Sequence, residues 1–164
     1  MFNEIDFTKI DLTGQPPTDE TKRQYYFMGK IRELLARESA VLGRPVTYCL
    51  QTFGCQMNEK QSEVVAGIMD EMGFDRKESE DADIVIYNTC TVRENANLKV
   101  YGRLGKLHNL KKHNPDMKII LFGCMMQEQH VVDKIRKDYP FVDLVFGTHN
   151  IFRFAELFYE MKNR

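Results

Sequence analysis

An α/β fold, with an open and mostly parallel sheet between flanking helices and an N-terminal helix ahead of it, is what this sequence predicts. Two apolar runs of strand length, Ile84-Val85-Ile86-Tyr87 and Ile119-Ile120-Leu121-Phe122, have no polar alternation, as expected for strands covered on both faces. Segments of helical periodicity lie between the strand candidates, and a strand–helix–strand rhythm implies right-handed βαβ crossovers. The size also fits. At 164 residues, 43% hydrophobic and 29% charged, the chain can bury one real core.

The elements follow in order. Residues 1 to about 17 are polar and close on Gly14-Gln15-Pro16-Pro17, which predicts a loosely ordered arm. Thr18 to Glu20 then opens a helix over about 19–40, with Tyr26, Phe27, Ile31, Leu34, Leu35 and Leu42 on its apolar side and Gly43 and Pro45 breaking it. Residues 1–43 thus form an arm and N-terminal helix, and 46–164 the domain proper. Val46 to Thr52 is β-branched and aromatic, a strand stopped before Gly54. Glu59 to Met72 is helical in pattern, with Asn58 and Gln61 as a cap pair and Gly73 as the stop.

Phe74 to Lys77 is a short strand candidate, followed by the strand at 84–87. Thr91-Val92-Arg93-Glu94 has the form of a capping box and opens a helix reaching about Lys112, which Asn114-Pro115 ends. After the strand at 119–122 come a helix over about 127–139, a strand at 144–146 and a helix over 151–161. The result is a Rossmann- or flavodoxin-like arrangement.

Net charge is −1, from 23 Lys plus Arg and 24 Asp plus Glu, which argues against a dedicated nucleic-acid-binding domain while leaving room for a basic face. The helix opening at residue 91 is such a face. It carries Arg93, Lys99, Arg103, Lys106, Lys111 and Lys112 with Glu94 as its acid, and reads equally as a nucleic-acid track or a solvated surface. No apolar stretch approaches the ~18 residues of a membrane span, and the first residues lack the blocks of a signal peptide. A cytoplasmic protein with no membrane partner is the expectation. There the four cysteines stay reduced, which favours metal binding or catalysis over disulfides.

Three cysteines fall at corresponding places. Cys55 follows Thr52-Phe53-Gly54, Cys90 follows Tyr87-Asn88-Thr89 and Cys124 follows Leu121-Phe122-Gly123, each after a strand and ahead of a helix. In a parallel sheet those ends share one edge, where open α/β folds bind ligands. Residues about 35 positions apart in sequence can therefore meet at that edge. Helix N-termini favour thiolates, and Gly54 and Gly123 permit tight turns just before two of the cysteines. Three soft thiolates suit zinc or an iron–sulfur cluster and not magnesium or calcium, and three ligands leave one position open. The competing reading is that all three are small buried hydrophobes.

Cys49 lies inside a strand and reads as core filler. His149, after Phe146-Gly147-Thr148, is a candidate fourth ligand or an ordinary loop residue, and His108 and His113 read as solvated. Gly102-Arg103-Leu104-Gly105-Lys106 has the wrong spacing for a phosphate loop and sits in a helical pattern.

Three segments together give a resemblance. Thr52-Phe53-Gly54-Cys55-Gln56-Met57-Asn58, Tyr87-Asn88-Thr89-Cys90-Thr91-Val92-Arg93-Glu94-Asn95-Ala96 and Phe122-Gly123-Cys124-Met125-Met126-Gln127 resemble the N-terminal domain of the radical-SAM methylthiotransferases, over about residues 46–164. The resemblance implies an auxiliary [4Fe–4S] cluster on Cys55, Cys90 and Cys124, with one iron open to present sulfur for insertion, and no ligand role for Cys49. The run from Thr91 to Ala96 looks most like the branch that adds a methylthio group to isopentenyladenosine beside the anticodon of tRNA. Other branches act on threonylcarbamoyladenosine in tRNA or on an aspartate of a ribosomal protein.

The family's C-x-x-x-C-x-x-C motif is not in this sequence. A second [4Fe–4S] cluster, S-adenosylmethionine and a C-terminal RNA-binding domain are accordingly expected on absent domains, and this stretch alone is expected to be inactive, with no catalytic residue of its own. Against this stands a zinc-stabilised α/β binding module built on the same thiolates.

Overall fold

The computed structural model describes residues 5–54, 56–90 and 94–164, with side chains described from residue 98 onward in the helix that begins at Glu94. Five strands, β1 (Thr47–Thr52), β2 (Asp75–Arg76), β3 (Ile84–Thr89), β4 (Lys118–Gly123) and β5 (Leu144–Phe146), form one sheet in the order β2-β1-β3-β4-β5. Every pairing is parallel. The helices are α1 (Glu20–Leu42), α2 (Gln56–Met72), α3 (Glu94–His113), α4 (Gln129–Asp138) and α5 (Phe154–Lys162), and they alternate with the strands except between β2 and β3, which a loop joins. This is the flavodoxin-like order, in which connections diverge between β1 and β3 and open a crevice at their carboxyl ends.

Strand alternation sorts the core into two layers. Tyr48, Leu50, Ile84, Ile86, Ile120 and Phe122 point to one face, where α1, α2 and α5 cover them with Phe27, Ile31, Met69 and Phe158. Cys49, Val85, Tyr87, Ile119 and Leu121 point to the other, under Val100, Leu104 and Leu107 of α3 and Ile135 of α4. Both faces of the central strands are thus sealed, which is why β3 reads as an unbroken apolar run.

The N-terminal region differs from the expected loose arm. Ile5, Phe7 and Leu12 pack against the first core layer, and the Tyr26 hydroxyl donates to the Gly14 carbonyl at 3.0 Å. Burial of these three apolar side chains, sparse in a polar stretch, holds the segment down. Asp19 caps α1, accepting from the Lys22 amide at 3.0 Å. The helix is also clamped to α5. Burial pushes the Glu156 carboxyl up, but bonds from Arg23 (2.5 Å) and Arg153 (3.0 Å) outweigh it and hold the group below its usual range.

At the amino-terminal end of the sheet Asp83 ties the loop before β3 to β1. It accepts two bonds from Arg44 (2.7 and 2.9 Å), one from the Thr47 amide (2.9 Å) and one from the Thr47 hydroxyl (3.1 Å). The Arg44 guanidinium first, and then the Thr47 donors against the pull of burial, bring its carboxyl down from 3.8 to about 2. A depressed carboxylate pKa stabilises the fold above the unfolded value and loses that contribution as pH falls through the folded one. Asp83→Asn should therefore cost about 1–2 kcal/mol at pH 7, discounted for the half-exposed Arg44, and progressively less as the pH falls through about 2. Urea unfolding across that range checks it, and a gap that persists in acid would refute the assignment.

Candidate metal centre

The carboxyl edge of the sheet brings the expected loops together. Thr52 pairs with Asn88 and Thr89 with Gly123 in register, so Cys90 and Cys124 are successive neighbours just past the last rung between β3 and β4. Cys124 Sγ lies 3.8 Å from the Thr89 carbonyl oxygen. Cys90 is buried and Cys124 half-buried. Cys55 lies outside the described residues, but its flanking residues are placed. The Phe53 amide donates to the Asn88 carbonyl at 2.8 Å, and the Phe53 ring packs edge-on against Tyr87 with centroids 5.0 Å apart.

Two glycines make this approach possible. Gly54 has φ +148° and Gly123 φ +119°, conformations that a side chain strongly disfavours. A Cβ on Gly54 would stand 2.7 Å from Cys90 Cβ and 2.5 Å from Asn58 Oδ1. A Cβ on Gly123 would meet the Thr89 carbonyl, with the Thr89 nitrogen 2.8 Å away. The residues immediately before Cys55 and Cys124 are therefore pressed onto the β3 end that carries Cys90. Soft cysteine donors on neighbouring loops of a carboxyl edge are the chemistry that an iron–sulfur cluster or zinc takes. Among the described residues no three His, Cys, Asp or Glu side chains form a metal-holding group; Cys55 is outside that set.

Beneath the edge lies a polar layer that the sequence reading missed. Asn58, Ser62, Asn88 and Thr89 are all buried. Asn58 is a helix-cap candidate in the sequence, but α2 begins at Gln56 and Asn58 turns inward, donating to Asn88 Oδ1 (3.2 Å) and the Thr89 carbonyl (3.1 Å). The signal was there in β3, whose inward positions Ile84 and Ile86 continue to Asn88, a polar residue on an apolar face.

Several other expectations change. Cys124 does not directly precede a long helix, since a 3-10 turn over Cys124–Gln127 intervenes and α4 starts at Gln129; Met125 and Met126 turn into the core there. The capping box at 91–94 falls largely outside the described residues, as does Arg93. His149 is exposed in a 3-10 turn after β5. His108, also exposed, stacks on Phe141 at 4.4 Å.

The basic row on α3 is shorter than it reads. Arg103 pairs with Glu80, itself bonded to the Tyr87 hydroxyl, and Lys111 pairs with Asp143 at 2.7 Å. Lys99, Lys106 and Lys112 stay exposed. Cys49 is buried in the second core layer, its thiol donating to the Glu78 carbonyl at 3.5 Å, and burial pushes the thiol up, away from the thiolate a metal needs.

Comparison with known proteins places the chain in a family. Residues 47–147, from the start of β1 to just past β5, match the family described as Uncharacterized protein family UPF0004. A tRNA-2-methylthio-N(6)-dimethylallyladenosine synthase of Lachnoclostridium phytofermentans is 67% identical over 118 residues, covering 72% of this chain and 26% of the relative. Proteins of the same name are 52% identical over 142 residues in Acetivibrio thermocellus, covering 86% of the chain and 30% of the relative, and 57% identical over 114 residues in Clostridioides difficile, covering 69% and 24%. The chain thus spans less than a third of the length of these relatives. With its whole sheet inside the matched segment, the chain belongs to the UPF0004 family.

Proposed function

We propose that this chain is the auxiliary-cluster domain of a tRNA-modifying methylthiotransferase, with Cys55, Cys90 and Cys124 as the three protein ligands of a [4Fe–4S] cluster. The observation that supports this reading is the close seating of Gly54 and Gly123, the residues before Cys55 and Cys124, on the strand end that carries Cys90. When bound, such a cluster supplies an iron not ligated by the protein, where sulfur is presented for insertion. This chain's own part is to hold three thiolates at fixed spacing. Burial of Cys90 limits water at one of them, and the half-exposed Cys124 marks the side open to the rest of the enzyme.

The names of the relatives favour dimethylallyladenosine, the isopentenyladenosine of the sequence reading, beside the anticodon as the base modified, over threonylcarbamoyladenosine or a ribosomal-protein aspartate. The full-length enzyme would bind S-adenosylmethionine and a second cluster on further domains, and would work on tRNA in the cytoplasm; no helix among the described residues is long and apolar enough to cross a membrane. Alone, this chain is expected to turn over nothing.

Iron, acid-labile sulfide and zinc are to be measured after anaerobic reconstitution, together with the absorbance spectrum. About four iron and four sulfide per chain is the expected result. Zinc without sulfide would replace this reading with a zinc-stabilised module, and no metal of either kind would refute a metal centre here.

A further inference from the structure

We propose that Asn58 and Asn88 are the positioning residues of the cysteine edge, a pair of buried amides that locks all three cysteine loops to one another. The inference rests on the cluster reading above and adds to it what sets the spacing of the thiolates.

The two residues clasp each other. Asn88 Nδ2 donates to the Asn58 main-chain carbonyl at 2.7 Å, and Asn58 Nδ2 donates back to Asn88 Oδ1 at 3.2 Å. The first turn of α2 is thereby fastened to the end of β3. The remaining donors go to the Thr89 carbonyl (3.1 Å) and Ser62 Oγ (3.0 Å), and Ser62 meets Thr52 of β1 at 2.7 Å. Asn88 is fully buried and Asn58 nearly so, at 4% exposed.

What each amide oxygen faces gives the clasp its role. Asn58 Oδ1 lies 2.5 Å from where a Cβ of Gly54 would stand, and Asn88 Oδ1 lies 2.7 Å from that of Gly123. One amide is packed on the residue before Cys55 and the other on the residue before Cys124, while Asn88 itself sits two residues ahead of Cys90. Apolar side chains could fill this space, though the Asn58 and Thr89 main-chain carbonyls would each lose a donor. They could not fix direction. Hydrogen bonds of this number and burial set one register of three loops, as outer-shell partners do for metal ligands.

The test is a Cd(II) titration of the anaerobic, metal-free chain, following cadmium–thiolate absorbance, with unfolding midpoints measured on the same samples. Asn58→Asp and Asn88→Asp keep shape and remove the donors, and should weaken Cd(II) binding by about 10- to 100-fold. Ile86→Ala removes packing on the same face of β3 without touching either amide, and should lower stability while leaving Cd(II) binding unchanged. Ser62→Ala, which takes one acceptor from Asn88, should give a smaller loss and carries the test if an Asp variant fails to fold.

Wild-type affinity in the folded asparagine variants, or in Ser62→Ala where those do not fold, would overturn the positioning role alone. So would an equal loss in Ile86→Ala, because binding would then follow stability. If the wild-type chain binds no Cd(II), the cluster reading and this inference fall together.

Discussion

Cys55→Ala, Cys90→Ala and Cys124→Ala are each expected to lose nearly all reconstituted iron and sulfide, while Cys49→Ala retains them. Changing an outer-shell residue costs about 10- to 100-fold in metal affinity, so removing a ligand outright should cost more. Cys49 is the internal control, because it is as buried as Cys90 and belongs to the same sequence. It differs in place. Its thiol points into the layer under α3, donates to Glu78 and is held protonated by burial. Cys90 follows the end of β3, within contact of the position a Gly54 side chain would take. Iron and sulfide analysis with absorbance on the four variants decides the matter. Equal losses in Cys49→Ala would refute the ligand assignment, and full retention in Cys124→Ala would remove that residue from the set.

Much of this site was legible because a parallel sheet converts distant sequence positions into neighbours. The apolar runs at 84–87 and 119–122 located β3 and β4, and the cysteine after each then had to lie on the carboxyl edge. Gly54 and Gly123 could be read as turn residues, and both adopt the positive φ that this requires. The polar layer was not legible in the same way. Asn58 is a common cap residue just ahead of a helical pattern, and local propensity favoured that role. Only the pairing of β1 with β3 brings α2 over Asn88 and turns Asn58 inward.

The N-terminal arm failed for a related reason. Its three half-buried apolar side chains, Ile5, Phe7 and Leu12, show no period, and their partners are on α1 and beyond. The basic helix shows the converse error. Six cations looked alike in sequence, yet Arg103 and Lys111 are engaged by Glu80 and Asp143, which reach them through the fold.

Gly123→Ala should be among the most damaging single changes outside the cysteines, with a stability loss of about 2–6 kcal/mol. The backbone there has φ +119° and ψ −176°, a region essentially reserved for glycine that costs another residue ~1–3 kcal/mol. The added methyl would also strike the Thr89 backbone and Asn88 Oδ1, overpacking worth a further ~1–3 kcal/mol because neither group can swing away. Against a total stability of ~5–15 kcal/mol, that is a large fraction.

Two other glycines set the scale. At Gly147 the φ of −86° suits any residue and the neighbour is Gln127 Cγ at 2.6 Å, so Gly147→Ala should carry only the overpacking cost of ~1–3 kcal/mol. At Gly105, inside α3 with nothing within 4 Å of a Cβ, alanine should stabilise by ~0.5–1 kcal/mol. Urea unfolding of the three variants at neutral pH gives all the values together. A Gly123→Ala chain as stable as Gly147→Ala would mean that β3 and β4 can separate at their carboxyl ends. Cys90 and Cys124 would then lack the fixed spacing on which three-thiolate binding at this edge depends.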